Sequence, residues 1–158
     1  MTSNNFAMLL NNNLAEIELS YKPELERMNR IYIKSSFDAF KTMFSLFDTN
    51  TIALKEQFSV LFLNRSNVVL GYHTLSVGGI SGTIADPKLI LGIALKCAAT
   101  GIVLAHNHPS CNTQPSKQDE VLTLKIKEAA KFMDITVMDH LIITPDGNYF
   151  SFTDEGLI

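Results

Sequence analysis

The chain has 158 residues, 46% of them hydrophobic and 18% charged, with a formal net charge of −3. That size suits one domain, burying roughly 70% of the surface its unfolded chain exposes. The apolar content excludes a disordered chain, and the acidic balance argues against a nucleic-acid binder that works by a basic surface. Two cysteines, Cys97 and Cys111, are too few for a disulfide framework. No basic segment precedes an apolar one at the N-terminus, so no signal peptide is evident and a reducing, cytoplasmic setting is expected.

In chain order, an Asn-rich start leads to Ala15, Ile17, Leu19 and Tyr21, which alternate with polar residues as in a half-buried strand ending before Pro23. This strand has few local partners and could pair across a homodimer. Ser35 or Ser36 caps a helix with the stripe Phe37, Phe40, Phe44, Phe47, read as core. Phe58 to Leu63 and Val68 to Leu75 read as a hairpin, followed by a bend rich in glycine at Gly78, Gly79 and Gly82. Asp86 and Pro87 open a helix to about Ala99, apolar nearly all round, and Gly101 to Ala105 is a strand covered on both faces. Leu89 to Ala105 is the longest apolar stretch, but Lys96 interrupts it and Gly101 divides it, so no membrane span is expected. Ser116 caps a helix to about Met133 with Leu122, Ile126, Ala129 and Met133 on one face. Ile135 to Thr144 and Tyr149 to Phe152 are strands around a Pro-Asp-Gly-Asn turn. Helices between strands in one domain imply an α/β layer fold.

The chemistry concentrates in His106-Asn107-His108-Pro109-Ser110 and Ser116-Lys117-Gln118-Asp119. His106 and His108 stand two apart past a buried strand, so extended backbone would turn both imidazoles to one face. Ser116 and Asp119, three apart at a helix start, share a face, and the loop between Pro109 and Pro115 can fold Asp119 onto the histidines. Two imidazoles and a carboxylate are the ligand set of a catalytic zinc with a fourth position open. Ser116 and Asp119 also fit a helix capping box. The two motifs occurring together after the most buried strand tip the reading toward a metal.

The string His106-x-His108-x7-Ser116-x2-Asp119 resembles the signature of JAMM (MPN+) metalloproteases at every spacing, and the wider pattern from Glu56 to Phe152 resembles the RadC-like JAB-domain proteins of bacteria. The resemblance implies a three-layer α/β/α, cytidine-deaminase-like fold with a curved mixed sheet over residues 46–158, preceded by a strand-and-helix lead-in over 1–45. It implies that His106, His108 and Asp119 bind Zn2+, and that Ser116 steadies the oxyanion of a tetrahedral intermediate. Glu56 matches the general acid/base, and the reaction implied is hydrolysis of peptide or isopeptide bonds in a peptide or protein substrate. A non-catalytic scaffold and a DNA-repair accessory are the other roles the superfamily suggests. The lead-in over 1–45 reads as too short for the helix-hairpin-helix module many RadC-like proteins carry plus a linker, and it shows no basic stripe.

The sequence departs from the family at Cys111, where glycine is usual. Without glycine's freedom at positive φ the loop could take another path, and the thiol could close the metal's open position. His140 sits inside an apolar strand and reads as a core histidine or one that supports a ligand, with Asp139 on the opposite face. His73, with no acidic neighbour, reads as a surface residue.

Overall fold

A computed structural model describes residues 30–78 and 85–158; the expected strand at Ala15–Tyr21 and the bend at Gly79 and Gly82 lie outside these residues. The elements are α1 (Ser36–Phe44), β1 (Gln57–Leu63), β2 (Val69–Val77), α2 (Pro87–Lys96), β3 (Gly101–Asn107), α3 (Lys117–Lys131), β4 (Thr136–Ile143) and β5 (Tyr149–Ser151). The strands form one sheet in the order β2-β1-β3-β4-β5. Only β3 and β4 run parallel, joined by the crossover helix α3; the β1–β2, β1–β3 and β4–β5 pairs are antiparallel.

Period-two alternation on β1 and β3 builds a core on each side of the sheet. Phe58, Val60, Phe62, Ile102 and Leu104 pack with Ile90 and Ala94 of α2 and Ile126 and Ala130 of α3. Leu61, Leu63, Val103, Ala105, Leu141 and Ile143 pack with Ala39, Phe40 and Met43 of α1. The fold is therefore a three-layer α/β/α sandwich with a mixed sheet, as the sequence led us to expect. β3 lies at the centre, buried at all seven positions.

The helix signals act where expected, with some corrections in extent. Ser35, rather than Ser36, caps α1 by accepting from Asp38 N, and Asp86 caps α2 by accepting from Lys88 N with Pro87 at the first turn. The phenylalanine stripe divides: Phe40 and Phe47 are buried, while Phe37 in the first turn is 52% exposed, and the buried face of the helix is Ala39, Phe40 and Met43. Helix α2 stops at Lys96, with Ala98 left-handed at φ 53° shortly after, and it is apolar nearly all round, carrying Leu89 and Leu95 even on its solvent side. On α3 the buried residues are Thr123, Ile126 and Ala130, and Met133 lies exposed beyond the helix end. Among the described residues no helix is long and apolar enough to cross a membrane.

Candidate metal centre

Strand β3 extends to Asn107, so His106 is a strand residue rather than the first residue past one. Alternation places it after Ile102 and Leu104 on the face covered by α2 and α3. His108 follows the strand, yet its N–H still donates to Ile143 O at 2.9 Å, so the extended path continues and its ring returns to the side of His106. The two Nε2 atoms face each other at 2.9 Å.

Helix α3 supplies the carboxylate. Ser116 is its N-cap, and the capping box is complete: Asp119 N donates to Ser116 Oγ, while Ser116 N and Oγ donate to Asp119 Oδ2 at 2.7 and 2.6 Å. The box does not compete with metal binding; it aims the carboxylate. With Oδ2 held by Ser116, Oδ1 lies 3.4 Å from His106 Nε2, and Oδ2 lies 4.0 Å from His108 Nε2. His106, His108 and Asp119 each offer a donor atom, all within 4.8 Å of one another.

The hydrogen bonds around the rings assign their tautomers. The carbonyl of Asp119 can only accept, and Thr123 Oγ1 donates to it at 2.6 Å. Thr123 Oγ1 must then accept from His140 Nδ1–H, so His140 Nε2 accepts from His106 Nδ1–H at 2.9 Å. His108 Nδ1–H donates to Asn112 O at 2.7 Å. Both ligand rings therefore present a bare Nε2 lone pair to the same point, beside a carboxylate oxygen. Three electron-rich atoms converging this closely call for a cation. Metal–ligand bonds of about 2.0–2.1 Å in a tetrahedron separate donors by roughly 3.3 Å, close to the spacings here, so the donor set fits a zinc-sized ion.

Electrostatics favours the same state. Burial holds the His106 pKa down to about 4, against a raising pull from Asp119 and with a further lowering from His108. His140, fully buried, is lowered well below the ordinary histidine value by desolvation and by the neighbouring histidines. Both are neutral at pH 7, as metal ligation and its support require. His140 is a hydrogen-bonded core histidine, partnered by His106 Nδ1 and Thr123 Oγ1, and its atoms are not among the gathered donors. Asp139 projects to the other face and accepts from Ser151 Oγ, Thr153 N and His140 N. His73 is exposed on β2.

Glu56 lies just before β1, half-buried, with its carbonyl accepting from Gly78 N at 2.8 Å. Burial raises its pKa, the charge of His108 opposes the rise, and that of Asp119 adds to it. Glu56 thus comes within electrostatic reach of two of the three candidate donors, His108 and Asp119, across about fifty to sixty residues of sequence. Cys111 is exposed and its sulfur is not among the gathered donors. Its backbone takes φ 61°, so the missing glycine is met by a strained cysteine in the left-handed region, at a cost of about 1 kcal/mol. Sequence reasoning passed over Thr123 and Asn107. The first stands one turn after Asp119 on α3, a spacing that shares a face; the second, between two ligands on a buried strand, had to point into the opposite core.

Comparison with known proteins agrees with this geometry. The profile of the RadC-like JAB domain family matches residues 33–157. A UPF0758 protein of Flavobacterium johnsoniae is 43% identical over 145 residues, covering 91% of this chain and 62% of the relative. A UPF0758 protein of Porphyromonas gingivalis is 43% identical over 146 residues (92% and 63%), and one of Aquifex aeolicus 35% over 130 residues (82% and 54%). The chain thus spans less than two thirds of the length of these relatives.

Proposed function

The chain belongs to the RadC-like JAB domain family, and on that premise we propose that it is a zinc-dependent hydrolase of peptide or isopeptide bonds. The observation that carries the reading is the convergence of two bare imidazole nitrogens and a carboxylate oxygen, with both Nδ1–H groups committed to acceptors on the far side of the rings. His106 Nε2, His108 Nε2 and an oxygen of Asp119 would hold the ion. Zinc at such a site supplies Lewis acidity for a carbonyl oxygen and makes water a competent nucleophile near neutral pH.

The chain's own groups then divide the remaining work. The Glu56 carboxylate takes the proton of the attacking water and returns it to the leaving amine nitrogen; its raised pKa suits a group that must do both. The Ser116 hydroxyl donates to the developing oxyanion. It can turn to do so because Ser116 N–H continues to hold Asp119 Oδ2 at 2.7 Å. Asp119 stays aimed by the capping box throughout. The substrate class is a peptide or protein, and the setting is cytoplasmic. A net charge of −3 argues against DNA binding by an overall basic surface.

Native mass spectrometry of the zinc-reconstituted protein, beside His108→Ala and Asp119→Ala, tests the metal. One zinc per chain, lost in both variants, supports the site, and a peptide-hydrolysis screen with Glu56→Ala as the inactive control then tests the reaction. Failure of the wild type to retain zinc at neutral pH would overturn the enzyme reading.

A further inference from the structure

Asn107 stands between the two histidine ligands but faces away from them, into the core under α1, where it is completely buried. Its amide is saturated by backbone. Nδ2 donates to Ile52 O at 2.7 Å and to Lys55 O at 2.8 Å, and Oδ1 accepts from Gln57 N at 2.7 Å. The last two bonds lie on either side of Glu56. One side chain therefore grips the peptide units before and after this carboxylate, and its own backbone continues directly into both ligands.

The Ile52 side chain anchors this segment in the core, but nothing in that anchor fixes the peptide units next to Glu56. Residues 48–56 belong to no helix or strand, and their other backbone bonds are local turns such as Ile52 N to Asp48 O and Lys55 N to Thr51 O, with Glu56 O taking Gly78 N. A loop of that kind is mobile by default, whereas a proton carrier must hold its place, since a displacement of about 1 Å can cost roughly 100-fold in rate. Only asparagine offers two N–H donors and an acceptor at this reach. Aspartate would set a carboxylate against two carbonyls, and leucine would leave three backbone groups unpaired in the core.

We propose that Asn107 is the positioning residue of the centre, setting the place of the Glu56 carboxylate against the metal-binding atoms while contributing nothing to metal affinity. The inference rests on the reading of Glu56 as the proton carrier. It makes the residue between the candidate ligands a ruler, measuring from β3 to the loop that leads into the adjacent strand β1.

The test is a spectroscopic one on the full chain loaded with cobalt(II) in place of zinc. In the wild type the cobalt shifts the NMR signals of the Glu56 side chain. In Asn107→Asp and Asn107→Ser those shifts collapse, while zinc stoichiometry and affinity stay at the wild-type level. Wild-type-like Glu56 shifts in a folded Asn107 variant would overturn the inference and leave the proposed function standing. Loss of zinc as complete as in His108→Ala would also overturn it, since Asn107 would then organise the ligands. Absence of any cobalt effect on Glu56 in the wild type would instead remove Glu56 from the reaction, and the inference with it. The wild type provides a check that needs no variant to fold: a scalar coupling across the hydrogen bond from Gln57 N–H to the Asn107 side-chain carbonyl. Its presence supports the clamp, and its absence overturns it.

Discussion

The inner and outer halves of the metal centre are built on different principles. The inner half, His106 with His140 and Thr123, is sealed: the His106 side chain is 4% exposed, and its bonds run in a closed sequence to the carbonyl of Asp119. The outer half, His108 and Asp119, is 14% and 17% exposed and is held by loop and cap contacts from Asn112 and Ser116. A sealed half gives a ligand of fixed tautomer and direction. In the proposed reaction, an open half would admit an ion and a substrate and leave the Ser116 hydroxyl free to change partners. Rigidity and access are thus assigned to different residues of one ligand set.

Removing ligands from the two halves should break this contrast most visibly. His106→Ala is expected to lose zinc and also to destabilise the metal-free fold by about 3 kcal/mol, because it opens a cavity and leaves His140 without its donor. His108→Ala is expected to lose zinc with little change in metal-free stability. Urea denaturation of the metal-free proteins reads the difference, and equal destabilisation would end the distinction.

Acid should act on the inner half as well. The metal-free native state keeps His106 neutral down to about pH 4, whereas the unfolded chain protonates this residue near 6.5. Between those values the unfolded state binds more protons, so stability falls as pH falls, by about 1.4 kcal/mol per unit for each such histidine. His140, lowered in the same direction, steepens the loss. Denaturation midpoints of the metal-free protein from pH 7 to 4 test this, and His106→Gln is expected to flatten the profile.

Smaller effects sharpen the comparison. Thr123→Val removes the oxygen that accepts from His140 and should weaken zinc binding about 10- to 100-fold, with Thr123→Ser restoring it. Competition with a zinc chelator measures both. At the outer rim, Cys111→Gly relieves the left-handed strain at φ 61° and should stabilise the fold by up to about 1 kcal/mol without altering zinc stoichiometry. Destabilisation instead would show that the thiol contributes more than the backbone loses.

Much of the site was legible before any coordinates. The spacing of His106, His108, Ser116 and Asp119 carries both the donor set and the cap, because strand alternation and helix periodicity are local rules that a short stretch of sequence can satisfy by itself. The apolar run at Gly101–Ala105 likewise marked the central strand. What local rules misjudged were extents and faces. Thr123 counts as polar on a periodicity plot, yet it turns inward because His140 offers it a partner, and that rotates the buried face of α3 from the one the apolar residues suggested. The phenylalanine stripe failed at Phe37, since the buried face of α1 is centred on Ala39, Phe40 and Met43. Cys111 shows a further limit. Residue type reveals that glycine is missing, but not that the chain would accept the strained conformation regardless.

The sequence by itself determined the α/β class, the pair of candidate donors at the end of β3 and the cap that aims the third; the donors and the cap follow from periodicities within about fifteen residues. Only the tertiary structure decided how far-separated groups come together: His140 behind His106, Glu56 within electrostatic reach of His108 and Asp119, and Asn107 gripping the Glu56 loop. Those meetings depend on strand order and register, with β1 and β4 on either side of β3. They carry no local signature because a hydrogen bond is indifferent to how much chain separates its partners.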